Sequence, residues 1–473
     1  MGDSKQTHLI CDTPLIPPAV SVSSEERYPR QIPWRAALAA AFVKLALGIL
    51  LGMYYPQGVL ESSDSLEYHQ LAINLAEHQV FSQSPGFPFE PETIRTPAYP
   101  ALISCVYQLV GVHPQAIVPV QILLSTVTML AGFAIASLLF NPRVGALTAV
   151  LLACDPLSLY YSQVMLTETL FGTFLTLSVL CLLCACRYPA LRYPAGAGIC
   201  LALATLTRPT GYYLGAVFPL MLLFVVGRAR GWRHAYISAA ILFILYAVPI
   251  GGWQLRNYVQ TGSAEFSQAK NQYLFIAHAS AIVALRDGLS LQDAQQRLAQ
   301  EHAASLPRQF QPSSPVVMLE SQGRFARAVM FEHPALLAWT MLKGSAANLF
   351  GPSNLAHLIG VDNVALRSAA MQGEFARFAP LHWAIACSSW IYGILFLGVL
   401  YYGVVVLLVR MGVNNYGLAL LVLTATYVIV VSSGPEAYSR FRAPIMPLLC
   451  VIAAGGLISF KAPFSTRGES LQA

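Results

Sequence analysis

Charge is what this sequence has least of. Asp, Glu, Lys and Arg make up 11% of its 473 residues, while 56% are hydrophobic. A soluble domain carries about 25% charged residues, so a water-facing surface around the whole chain is excluded. Mean hydropathy is +0.57. The small excess of base, 28 Lys and Arg against 22 Asp and Glu, does not mark a nucleic-acid partner. The basic residues form no long stripe; they fall in short loops between apolar runs, as membrane orientation requires. The nine cysteines give little. Cys154, Cys181, Cys184, Cys186, Cys200, Cys387 and Cys450 lie in or beside apolar runs, where a free thiol behaves as a small hydrophobe. Cys181-Leu-Leu-Cys184 has no second Cys/His pair, which argues against a metal or redox site. No Asn-x-Ser/Thr sequon occurs, which tilts against a glycosylated lumenal surface. Residues 1–33 are polar and proline-containing, so no cleavable signal peptide is expected.

What the sequence does have is long apolar runs, many near the roughly 20 residues that cross a bilayer. They predict an all-α polytopic membrane protein with ten transmembrane helices, at 36–55, 115–140, 144–162, 168–186, 194–207, 210–227, 235–252, 383–409, 415–433 and 441–460. Two shorter stretches, 98–111 and 335–350, read as interfacial or partly inserted helices. The charges decide this. With ten spans, Arg27, Arg30 and Arg35, then Arg143, Arg187 and Arg192, Arg228, Arg230, Arg233 and His234, Arg410, Lys461 and Arg467 all fall on one side, which is then cytoplasmic. Both termini are expected there. The expected organisation is a polar tail (1–35), a membrane module (36–252) with an outer loop at 56–114, an extracytoplasmic helical segment (253–382), three last spans (383–460) and a second tail (461–473). Residues 289–302 carry the apolar stripe of an amphipathic helix. Lys44, in the first span, is expected to snorkel to the cytoplasmic face.

Four arginines oppose the positive-inside bias: Arg95, Arg208, Arg440 and Arg442. Each sits at the outer edge of a span or interfacial helix, beside proline. Rim arginines can simply contact headgroups. Several at helix starts can instead build a phosphate site, since helix N-termini attract anions and the guanidinium fork grips phosphate. Among the acids, Asp64, Glu67 and Glu77 lie in the first outer loop, Glu90 and Glu92 lie near Arg95, and Glu168 opens the fourth span. Asp64-Ser-Leu-Glu67 also fits an Asp variant of the capping box, and Glu168 fits a dipole-favoured helix start. Asp155, inside the third span, is either functional or the mark of a helix broken at Pro156. His69 and His78 lack metal-ligand spacing, and His302, His333 and His357 read as isolated surface residues.

Asp-Ser-x-Glu-Tyr-x-x-Leu-Ala in the first outer loop, then Arg-Thr-Pro-Ala-Tyr-Pro, Leu-Thr-Glu-Thr-Leu-Phe, Leu-Thr-Arg-Pro-Thr and Ser-Arg-Phe-Arg-Ala-Pro-Ile-Met-Pro resemble the integral-membrane GT-C glycosyltransferases. The nearest group is the bacterial branch related to protein O-mannosyltransferases and the lipid A aminoarabinose transferase. The resemblance covers residues 36–227 and the last span. It implies a bacterial plasma membrane, a polyprenyl-phosphate sugar donor and an inverting transfer on the outer face. Asp64 becomes the catalytic base and Glu168 a second catalytic acid. Substrate contacts fall to Glu67, Arg95, Tyr99, Arg208, Arg440 and Arg442, with Arg440 and Arg442 the leading pair for the phosphate. Ser65 stands where many relatives carry a second acid. No metal ligand or cofactor is assigned, and a divalent cation stays open. The acceptor, whether protein, lipid or glycan, is not legible; membrane lipids are implied as surroundings. The rival readings are a secondary transporter or lipid flippase, whose sites usually lie at the bilayer midplane, and a non-catalytic scaffold.

Overall fold

The computed structural model describes residues 32–307, 314–352, 357, 361, 363–411 and 415–459. Among them there is no strand, and nineteen α-helices follow one another. Arg27, Arg30, Lys461 and Arg467 lie outside the described residues. The first helices are α1 (Ile32–Tyr54), α2 (Ser63–His78), α3 (Ala98–Val110), α4 (Ile117–Leu139), α5 (Pro142–Ala153) and α6 (Pro156–Tyr161). Then come α7 (Glu168–Arg187), α8 (Arg192–Thr207), α9 (Leu214–Arg230) and α10 (Trp232–Thr261). The middle of the chain forms α11 (Ala269–Tyr273), α12 (Ser280–Asp287), α13 (Leu291–Ser305), α14 (Pro315–Glu332), α15 (Pro334–Phe350) and α16 (Asn363–Met371). The last helices are α17 (Pro380–Met411), α18 (Tyr416–Val431) and α19 (Met446–Ser459).

Among the described residues, seven helical stretches are long and apolar enough to cross a membrane. Each corresponds to one of the ten expected spans. The other three expected spans, 144–162, 194–207 and 415–433, contain shorter helices. A helix pair bent by 105°, Ala269–Asp287 with Leu291–Ser305, also passes the apolar test when taken together. It holds the amphipathic segment expected at 289–302.

The expected span 144–162 is not one helix, and the reason is local. Pro156 has no N–H to give the carbonyl of Leu152, four residues back. The chain breaks at Cys154–Asp155. Asp155 caps the new helix, accepting from the backbone N–H of Leu157 (3.2 Å) and Ser158 (3.0 Å). That resolves its two sequence readings toward the broken helix. The Leu152 carbonyl finds a partner across the bundle: Lys44 Nζ donates to it at 2.9 Å and to Ser158 Oγ at 2.7 Å. Lys44 is 3% exposed. It does not snorkel, because the broken helix offers a carbonyl that an ammonium can satisfy in place. α5, with 12 residues, rises only ~18 Å, short of the ~30 Å hydrocarbon core.

The spans share one apolar core, running from Ala37 in α1 to Ala454 in α19. A separate small core, with Phe275, Ile282, Val283, Leu298 and Ala326, unites the elements between α10 and α15. Buried in it, His302 touches Ser321 Oγ at 3.0 Å and lies edge-on to Phe275 and Phe325. His302 is therefore no surface residue. His357, also expected to be isolated, pairs with Glu61. Apolar helices in lipid gain little from hydrophobic burial against each other, so close packing across small residues does the work. Gly403 of α17 and Gly456 of α19 face each other backbone to backbone, and Gly198 of α8 rests on the Leu242 carbonyl of α10. Gly398 of α17 has open space where a Cβ would stand. Gly456→Leu is expected to lower stability by at least ~1–3 kcal/mol through overpacking, whereas Gly398→Leu leaves it unchanged. Thermal unfolding of both variants in detergent checks the contrast.

Candidate active site at one end of the bundle

α1 runs through a 3-10 turn, Pro56–Leu60, into α2. Ser62 occupies the cap position of α2, and Asp64 lies inside the first turn. Asp64 is thus not the helix cap that its sequence context also allowed, and its carboxylate points to arginines instead. Arg95 precedes α3 at the end of a loop fixed from several directions. Asn74 Nδ2 donates to the carbonyls of Ser82 (2.6 Å) and Ser84 (2.9 Å). Glu92 accepts from the Arg95 backbone N–H (2.9 Å) and from Gln83 Nε2 (2.6 Å). Arg256 of α10 donates to the Glu92 carbonyl at 2.7 Å.

This scaffolding brings three carboxylates and three guanidinium groups into one connected network. Arg95 donates through Nη2 to Asp64 Oδ1 and through Nε to Glu67 Oε2, each at 2.6 Å. Arg440 donates through Nη1 to Asp64 Oδ2 at 2.7 Å and through Nε to Glu168 Oε1. Arg208 also donates to Glu168 Oε1. The six formal charges cancel. Rings cover two of the cations: Arg95 lies 5.2 Å over Tyr68 and Arg208 5.3 Å over Phe441. The side chain of Glu168 is 1% exposed and that of Asp64 is 18% exposed. Glu168 buries its second oxygen, Oε2, without a partner. α7 presses its first turn onto the arginine-bearing segment through Gly172, which lies against Pro444.

Burial pushes the Asp64 carboxyl up, but Arg440 and then Arg95 outweigh it and hold it at about 2. A carboxylate with two cations on it loses basicity, because protonation must give up both contacts.

The expected arginine pair is divided. Arg442 is 2% exposed and donates to the carbonyls of Asn348 (2.8 Å), Leu349 and Gly351 (3.1 Å). It satisfies the carbonyls at the C-terminus of α15, which have no helical partners. Residues 439–445 form a 3-10 helix, and at three residues per turn side chains two apart leave on different faces. Tyr99 also stands back from the acids. It is fully buried, donates to Gln121 Oε1 at 2.7 Å and packs edge-on against Tyr68 at 5.2 Å.

Two cavities flank Asp64. The larger, of about 530 Å³, is lined by Asp64, Tyr68, Arg95, Arg208, Arg440 and Phe441 near the network and by Lys270, His278 and Glu436 beyond it. The other, of about 400 Å³, is lined by Asp64, Arg95, Gln83 and three further acids, Glu67, Glu90 and Glu92. Asp64 and Arg95 belong to both walls. Sequence reasoning missed Tyr68, Lys270, His278 and Glu436. Tyr68 stood inside the quoted Asp-Ser-x-Glu-Tyr motif. His278 and Glu436 carried no local signal. Among the described residues, no three His, Cys, Asp or Glu side chains gather so as to hold a metal ion.

Residues 94–253 match the family model of dolichyl-phosphate-mannose-protein mannosyltransferases. No curated protein matches the chain significantly. Among solved structures, the fold is similar to the archaeal oligosaccharyltransferase AglB from Archaeoglobus fulgidus in complex with an inhibitory peptide and a dolichol-phosphate. That match has a TM-score of 0.52 and 15% identity over 92% of this chain and 51% of that one. The apo form of the same enzyme gives 0.52 and 13%, over 92% and 51%. ArnT from Cupriavidus metallidurans bound to undecaprenyl phosphate gives 0.41 and 14%, over 90% and 76%. The chain spans about half the length of the oligosaccharyltransferases it matches. Residues 94–253 are thus similar to the mannosyltransferase family model, and the chain shares the helical membrane fold of the oligosaccharyltransferase structures.

With its folded-state pKa depressed, Asp64 contributes stability that is present above its unfolded value of about 3.9 and is lost as pH falls through about 2. Difference infrared spectra of wild type against Asp64→Asn are expected to show an ionised Asp64 carboxylate still at about pH 3. A midpoint near the ordinary value contradicts the double arginine contact.

Proposed function

We propose that this chain transfers a sugar, with inversion, from a polyprenyl-phosphate carrier to an acceptor on the extracytoplasmic face, using Asp64 as general base. The observation that carries the reading is the position of Asp64, held by two arginines on the wall common to two cavities of unlike charge. The 530 Å³ cavity, with Arg95, Arg208 and Arg440 on its wall, suits the carrier phosphate. The 400 Å³ cavity, with four acids to one arginine, repels phosphate and suits a neutral or basic acceptor. The dolichol-phosphate and the peptide held by AglB are consistent with such a pair of ligands. The arginines of the loops at the other end, among them Arg143, Arg187 and Arg228, support an extracytoplasmic site by the positive-inside rule.

The chemistry follows from the network. Both Asp64 oxygens accept from guanidinium groups, which keeps the base weak. A phosphate entering beside Arg440 and Arg95 competes for the same donors and frees an Asp64 lone pair. The acceptor O–H or N–H proton then passes to Asp64 as its heavy atom bonds the anomeric carbon. The bond from that carbon to the phosphate oxygen breaks, and its electron pair leaves with the polyprenyl phosphate. Arg440 and Arg208 stabilise the charge that builds there, an effect strongest where water is excluded. Glu168 keeps those two arginines in place.

Purified protein in nanodiscs, given undecaprenyl-phosphate sugars and an envelope-glycan and protein acceptor mixture, is expected to release undecaprenyl phosphate and label an acceptor. Asp64→Asn is expected to lose about 100- to 10,000-fold in rate, the usual worth of a general base, while remaining folded and membrane-inserted. Wild-type turnover by that variant removes Asp64 from the mechanism.

A further inference from the structure

The far wall of the arginine-lined cavity holds a second polar pair that the mechanism above does not use. His278 sits on a six-residue π-helical turn, Leu274–Ala279, between α11 and α12. Glu436 lies in the loop after α18, four residues before Arg440. Both line the cavity. His278 Nε2 and Glu436 Oε1 are 3.7 Å apart, beyond a hydrogen bond. His278 Nδ1 and Glu436 Oε2 are buried with no partner. Leaving such atoms unpaired is destabilising, and a native structure that keeps them calls for a reason. Several other polar groups lining this cavity are engaged: Lys270 with Glu265 at 3.0 Å, Thr96 with the Thr207 carbonyl at 2.8 Å and Thr207 with the Leu203 carbonyl at 2.7 Å. Gly434 keeps room for the pair. A Cβ there would stand 2.8 Å from two atoms of the His278 ring and 3.0 Å from Glu436 Oε2.

We propose that His278 and Glu436 form the subsite that reads the hydroxyl groups of the carrier-borne sugar. The inference rests on the donor reading above. With the phosphate on Arg440 and Arg208, the sugar fills the same cavity, and an imidazole and a carboxylate offer the donor and acceptors that ring hydroxyls need. The pair joins the middle segment of the chain to the loop that carries Arg440, so sugar choice and phosphate grip are set by neighbouring residues.

The test uses full-length protein, the best undecaprenyl-phosphate sugar of the wild type, its monodeoxy analogues and sugar-free undecaprenyl phosphate. For wild type, removing the hydroxyl that the pair contacts is expected to lower kcat/KM about 10- to 100-fold, as for hydrogen bonds to charged groups. In His278→Ala and Glu436→Gln that penalty shrinks to under about threefold, while binding of sugar-free undecaprenyl phosphate stays within about twofold. His278→Gln and Gly434→Ala provide milder routes to the same readout if the first variants do not fold. Variants that keep the full deoxy penalty overturn the subsite, as do variants that weaken sugar-free carrier and sugar donors equally. A wild type that uses no polyprenyl-phosphate sugar overturns the donor reading and the subsite together.

Discussion

Arg440 is the constraint on which the rest depends. Its guanidinium touches Asp64 from α2 and Glu168 from α7, residues 376 and 272 positions away in sequence. A single buried cation thereby ties the first loop, the middle of the membrane module and the entry to the last helix. Isolated ions cannot stay at such depth, so Arg440 and Glu168 require each other, and Arg208 and Arg95 extend the compensation until six charges cancel. The network is neutral as a whole, and Asp64, held on both oxygens by two different arginines, depends most on how those donors are shared.

The helices serve that arrangement through defects as much as through regularity. Pro156 breaks one expected span, Asp155 caps the break and Lys44 satisfies the carbonyl left behind. Glycines let α17 meet α19 and let α7 approach Pro444. Arg442 fastens α15 beneath the same 3-10 turn that presents Arg440. Asp64, Ile94, Arg95 and Tyr273 line both cavities, and Glu90 and Glu92 line only the one without Arg208 and Arg440.

Much of this was legible in the sequence because it follows from periodicity, composition and charge. Each of the seven long apolar helices lies where an apolar run predicted a span. Asp64, Glu67, Arg95, Glu168, Arg208 and Arg440 were all singled out, and the structure joins them. Hydropathy averages over a single proline and so read 144–162 as one span, while Pro156 after Asp155 offered the break only as one of two readings. Nor could length and charge bias separate Arg440 from Arg442, because sidedness within a 3-10 turn depends on backbone geometry rather than residue type. Lys44 was read as a surface-seeking cation because its partner carbonyl, 108 residues away, becomes available only when another helix breaks. His278 and Glu436 lie on segments whose meeting no local pattern encodes.

The most direct test is a structure with undecaprenyl phosphate bound. The phosphate is expected within hydrogen-bond reach of Arg440 and Arg208, with at least one of the two arginine contacts to Asp64 lengthened or broken. A phosphate held elsewhere, with Arg440 still donating to both Asp64 and Glu168, contradicts it.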